Sequence, residues 1–133
     1  MLLAAALLLA QTAPVCAGTD AALPALLSGW TRVMPHPGLM VGHATLNDVT
    51  GGTLRIDFHI ETAGIYGVAI DQPGWIDVSA KGASAPLKPV KHGHGPDCSS
   101  IKKIVRFDLT PGDYRLDLTN VKHAKAKVML VKD

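Results

Sequence analysis

The sequence predicts an all-β domain, an antiparallel β-sandwich of jelly-roll or immunoglobulin-like type with about seven or eight short strands. Three observations lead there. Apolar and polar residues alternate with period two, most cleanly over Thr53 to Glu61: Leu54, Ile56, Phe58 and Ile60 share one face, and Arg55, Asp57, His59 and Glu61 the other. Turn-forming clusters punctuate the chain at short intervals, as in Asn47-Asp48-Val49-Thr50-Gly51-Gly52, Thr62-Ala63-Gly64, Gln72-Pro73-Gly74 and Pro111-Gly112. No stretch sustains a helical period. At 133 residues, 47% of them hydrophobic, the chain has the length of one domain and enough apolar side chains for one sandwich core.

Residues 1–17 read as a signal peptide. Met1 to Ala10 is almost wholly Leu and Ala, and Val15-Cys16-Ala17 offers a β-branched residue at −3 and alanine at −1, so cleavage is expected after Ala17. The n-region carries no Lys or Arg. The run is broken by Gln11 and Pro14 and is too short to span a bilayer. The expected location is therefore periplasmic or secreted, with no membrane span. Cleavage after Ala10 instead would retain Cys16. The chain has two cysteines; with Cys16 retained, an oxidising compartment permits a Cys16–Cys98 disulfide, and with Cys16 lost, Cys98 is free, buried or a ligand.

Residues 18–38 form an N-terminal arm. Thr19 to Trp30 allows a helical turn or two that sets Leu23, Leu26, Leu27 and Trp30 on the body, while Pro35, Pro37 and Gly38 forbid regular structure around His36. Residues 39–133 hold the sandwich. Met40 to Leu46 is its first strand and Thr53 to Glu61 its second. Ile65 to Asp71 follows with Tyr66, Val68 and Ile70 inward, then Trp75 to Ser79. Lys81 to Val90 contains Gly82, Pro86 and Pro89 and is at most a short edge strand. The segment His92-Gly93-His94-Gly95-Pro96-Asp97-Cys98 reads as a long loop. Ile104 to Leu109, Asp113 to Thr119 and Ala126 to Val131 complete the strands.

An internal repeat runs through this pattern. Phe58-His59-Ile60 with Gly64-Ile65-Tyr66-Gly67-Val68-Ala69-Ile70 matches Phe107-Asp108-Leu109 with Gly112-Asp113-Tyr114-Arg115-Leu116-Asp117-Leu118. Each copy is a strand–turn–strand unit, and the two suggest similar hairpins in two facing sheets.

Trp75-Ile76-Asp77-Val78, the His92-to-Cys98 segment, Ile101-Lys102-Lys103 and Phe107-x-Leu109-x-Pro111-Gly112-x-Tyr114 resemble a group of small exported proteins of Gram-negative, mostly alphaproteobacterial, origin. The resemblance covers roughly Thr53 to Val131 and implies a sandwich similar to the pre-peptidase C-terminal type. Some members bear the name homogentisate 1,2-dioxygenase.

Several chemistries can be drawn on these residues. His92 and His94, two apart in an extended segment, can aim both imidazoles at one ion, with Asp97 or Cys98 as a third ligand and His59 or His123 as a fourth. Such a set suits zinc, copper or iron. A cupin-type, non-haem iron dioxygenase would use His92 and His94 as its first pair, with Asp97 where cupins carry Glu, but Arg115 and Asp117 stand where the later His is needed. Met34, His36, Met40 and His43 place thioethers and imidazoles in one stretch, as a copper carrier would; the plainer reading sets both methionines against the core and both histidines on the surface. Cys98 beside His94 and Asp97 is a poor catalytic triad, because such groups converge from separate elements. Trp75 is either a binding platform for a glycan or protein partner or, by the burial habit of large aromatics, a core anchor. The 13 basic and 11 acidic residues interleave, and aromatics are only 5% of the chain, which argues against nucleic-acid binding. A binding or structural role is expected over an enzymatic one. The oligomeric state is not encoded in any pattern of the sequence.

Overall fold

The computed structural model describes residues 15–133. The expected leader falls mainly on residues 1–14, outside the described residues. The chain folds as an all-β sandwich of two antiparallel sheets. Its strands are β1 (Ala44–Asp48), β2 (Leu54–Ile60), β3 (Gly64–Ile70), β4 (Trp75–Ala80), β5 (Lys91–Gly93), β6 (Lys103–Leu109), β7 (Gly112–Thr119) and β8 (Lys125–Lys132). One sheet has the order β1-β8-β3-β6-β5, the other β2-β7-β4.

The alternation in β2 does what its sequence implies: Ile56, Phe58 and Ile60 are buried, and Arg55, Asp57 and His59 are exposed. They meet Ile76 and Val78 of β4 and Leu116 and Leu118 of β7 on the inner face of the smaller sheet, opposite Val68, Ile70, Val105, Phe107, Val128 and Leu130 of the larger one. The larger sheet is buried on its other face as well. There Ala69, Ile104, Met129 and Val131 pack against Leu27 and Trp30, which lie on a short 3-10 helix, Ala25–Thr31. The arm is thus a third layer, and it explains why β3 and β8 read as near-continuous apolar runs rather than alternating ones.

Two elements differ from expectation. The first strand begins at Ala44, not Met40, because Met40 to His43 is a turn: the His43 amide donates to the Met40 carbonyl at 3.1 Å and Gly42 sits at φ 78°. The expected edge strand in Lys81 to Val90 is absent; the edge strand is Lys91–Gly93, so the first part of the histidine segment pairs with β6 instead of looping free.

The repeats are present, but they are not hairpins. Within each copy the two strands belong to different sheets, and the pairing is crossed: β2 pairs with β7 and β3 with β6. Phe58 of the first copy lies opposite Tyr114 of the second, and Tyr66 opposite Phe107. Each turn between sheets is closed the same way. The Tyr66 hydroxyl donates to the Thr62 carbonyl at 2.5 Å and the Tyr114 hydroxyl to the Thr110 carbonyl at 2.8 Å, a tyrosine corner in duplicate.

The outer face of the smaller sheet is a charge ladder. Asp117 accepts from Arg55 at 2.8 Å and from Arg115 at 3.0 Å. Partial burial pushes its pKa upward, but the two guanidiniums outweigh this and hold the carboxyl below its ordinary value.

Candidate functional site

The segment from His92 to Cys98 is held from below by the arm. Cys98 is disulfide-bonded to Cys16, with the Cα atoms 5.4 Å apart. Beside the bridge, the Asp20 amide donates to the Cys98 carbonyl at 2.8 Å, and the Asp20 carboxylate accepts from the Ser100 amide at 2.7 Å and the Ser100 hydroxyl at 2.5 Å. Ser100 Oγ in turn accepts from the indole nitrogen of Trp30 at 2.9 Å, and Trp30 is completely buried. Asp20 and Cys98 both adopt left-handed backbone conformations, φ 62° and 61°, which the surrounding bonds must hold in place. Of the two glycines in His-Gly-His-Gly, only Gly95 is dictated by space: a Cβ there would meet the Ile101 carbonyl oxygen at 2.1 Å, whereas one on Gly93 would find nothing nearer than 3.8 Å.

Above this anchor lies a groove of about 800 Å³ at the end of the sandwich where β4 and β6 begin. Its walls include Trp75, His92, His94, Lys102, Lys103 and Lys122. Trp75 is 61% exposed; the expectation of a core anchor fails because Trp75 opens an edge strand of the smaller sheet with its side chain outward. Its ring is fixed from one side. Lys103 Nζ sits 5.3 Å from the ring centroid and donates to the Gly74 carbonyl at 2.8 Å, tying the turn before β4 to the start of β6. The β7–β8 turn, which brings Lys122, is pinned by Gln72: this 3% exposed side chain donates to the Lys125 carbonyl at 3.0 Å and accepts from the His123 amide at 3.2 Å. The groove therefore combines an exposed indole face with three ammonium groups and two imidazoles, and among the described residues no carboxylate lines it.

The predicted ligand set does not assemble. His92 and His94 do share the groove, but the Cys98 sulfur is committed to the bridge and Asp97 is not in the lining. His59 lies on β2 and engages Asp113 at 2.7 Å through Nδ1. Among the described residues no group of three or more His, Cys, Asp or Glu side chains is placed to hold a metal ion. The set His92, His94, Asp97, Cys98, His59 and His123 is thus corrected to two histidines on one groove wall and four residues engaged elsewhere or outside it. A cupin iron centre, which needs convergent ligands, has no counterpart among the described residues.

The interleaving of basic and acidic residues along the chain hides these lysines in the sequence. The doublet Lys102-Lys103 directly after the histidine segment was a signal for them; Lys122 had none, because only the β7–β8 turn brings it near. The reading of Met34 and Met40 as core fillers is also reversed: they are 46% and 53% exposed. No helix among the described residues is long and apolar enough to cross a membrane. No family model matches this chain, and no curated protein or solved structure does either.

Proposed function

We propose that this protein is an exported binding module that takes segments of acidic carbohydrate, carrying carboxylate, sulfate or phosphate groups, in the groove at Trp75. The observation that carries the reading is the exposed indole of Trp75, held on one side by Lys103, in a groove lined by three lysines and two histidines and, among the described residues, by no carboxylate. A sugar ring stacks its apolar face on an indole, and an anionic substituent then lies within reach of Lys102 or Lys122. His92 and His94 add directional donors. The Cys16–Cys98 bridge, which goes with cleavage ahead of Cys16 rather than after Ala17, supports an oxidising compartment, where polyanionic glycans are met.

Calorimetric titration of the oxidised, untagged protein with oligogalacturonate and with a neutral oligosaccharide of equal length tests this. Acidic chains bind and neutral ones do not; Trp75→Ala and Lys102→Glu with Lys122→Glu each weaken binding at least about tenfold, and raising salt weakens it further. Equal binding of acidic and neutral chains, or binding indifferent to Trp75→Ala, refutes the proposal.

A further inference from the structure

A second feature shares no residue with the groove. Where the N-terminal arm runs into the turn before β1, the rings of His36 and His43 meet edge to face, with centroids 5.5 Å apart and planes at 60°. His36 Nε2 and His43 Nδ1 are both buried, and neither has a hydrogen-bond partner among the described residues. A buried imidazole nitrogen left unpaired is costly, so two in adjacent rings call for an explanation. The tautomer of His36 supplies part of it. Its Nδ1 lies 3.3 Å from the Pro37 carbonyl, an acceptor only; a hydrogen bond there requires the Nδ1–H tautomer, which leaves Nε2 a lone pair.

The spacing fits one shared ion. With metal–nitrogen bonds of about 2.0 Å and about 1.15 Å from ring centre to nitrogen, two imidazoles on one ion at an angle of about 120° stand about 5.5 Å apart. That angle leaves room for a third donor. Two thioethers are at hand. The Met34 amide donates to the Ala44 carbonyl at 2.9 Å, setting Met34 beside the residue that follows His43, and the Met40 carbonyl closes the turn onto the His43 amide at 3.1 Å. Both methionine side chains are exposed and not taken up by the core. Neutral imidazoles with thioethers are soft donors without charge, a set that selects Cu(I) over zinc or iron. Both cysteines are locked in the disulfide and offer no competing thiolate.

We infer that His36 and His43, completed by the thioether of Met34 or Met40, form a binding site for monovalent copper. The site can be read directly on the oxidised, untagged protein with methyl-labelled methionine, titrated anaerobically with Cu(I) under ascorbate against bicinchoninate. One equivalent of Cu(I) is withdrawn from the chelator, and the ε-methyl resonance of Met34 or Met40 shifts while that of buried Met129 does not. His36→Asn with His43→Asn lowers the affinity at least a hundredfold, whereas His92→Asn with His94→Asn leaves it unchanged. Zinc added at the same concentration moves no methionine resonance. Unmoved Met34 and Met40 methyls in the native protein overturn the inference whatever the variants do, as does a His36/His43 variant that keeps its full affinity.

Discussion

Removing the Cys16–Cys98 bridge tests how the arm is held. The two cysteines are 82 positions apart. Closing a loop of that length in the unfolded chain removes entropy worth about 4.5 kcal/mol at 25 °C by the chain-entropy relation. For a domain of this size a urea m-value of about 1.5 kcal/mol/M turns that into a midpoint shift of about 3 M. The measurement is urea unfolding of the oxidised protein against Cys16→Ala with Cys98→Ala, both carrying Trp75→Phe so that fully buried Trp30 is the only tryptophan. Its fluorescence reports the arm, and far-UV circular dichroism reports the strands. The bridge-free protein unfolds earlier by about 3 M, with the two signals coincident, because Trp30 packs into the same body as β3, β6 and β8. Midpoints within about 0.5 M of each other refute the loop-closure reasoning. A fluorescence transition that precedes the dichroism transition refutes the claim that the arm is an integral layer.

Three further outcomes follow from the geometry. Tyr66→Phe and Tyr114→Phe each remove one carbonyl-capping hydroxyl and cost about 1 kcal/mol, and the double variant loses about the sum, measured by urea unfolding. Because Asp117 has a lowered pKa in the folded state, its contribution to stability is complete above the ordinary carboxylate range. It is lost as pH falls through the folded value, so Asp117→Asn flattens the fall in stability below about pH 4; parallel curves for the two proteins contradict this. Gly95→Ala drives a methyl into the Ile101 carbonyl and displaces the segment bearing His94, lowering the melting temperature and weakening groove binding, whereas Gly93→Ala leaves both nearly intact; equal effects of the two refute the spatial argument.

Much of the fold was legible because strand formation is a local property. The alternation in Leu54 to Ile60 and the turn chemistry at Gln72-Pro73-Gly74 report on nearest neighbours, and they locate strands to within a residue or two. Pairing is not local. Nothing in Phe58 announces that it lies opposite Tyr114 rather than across a hairpin from Ile65; the repeat was readable, the exchange of partners was not. Surroundings set by distant segments were equally hidden. Trp75 takes its exposure from an edge position, and the groove's Lys122 arrives through a turn that Gln72 pins. The simplest reading of Met34, His36, Met40 and His43 is reversed: His36 Nε2 and His43 Nδ1 are buried while both methionines are exposed, which no local pattern announces. The role of Cys98 turned on Cys16, and the sequence left that pairing open.

The crossed pairing also has a consequence in time. Every ladder joins one of β1 to β5 to one of β6 to β8: β1 to β8, β2 to β7, β3 to β6 and β8, β4 to β7, β5 to β6. No two of the first five strands hydrogen-bond to each other as a ladder. As the chain leaves the ribosome, roughly its first hundred residues have no strand partner for about 5–20 s of synthesis. The larger sheet can begin to pair only once β6 has emerged, and the smaller one only once β7 has. A nascent chain of this kind leaves its first five strands without ladder partners, their apolar faces uncovered, until its last three strands arrive.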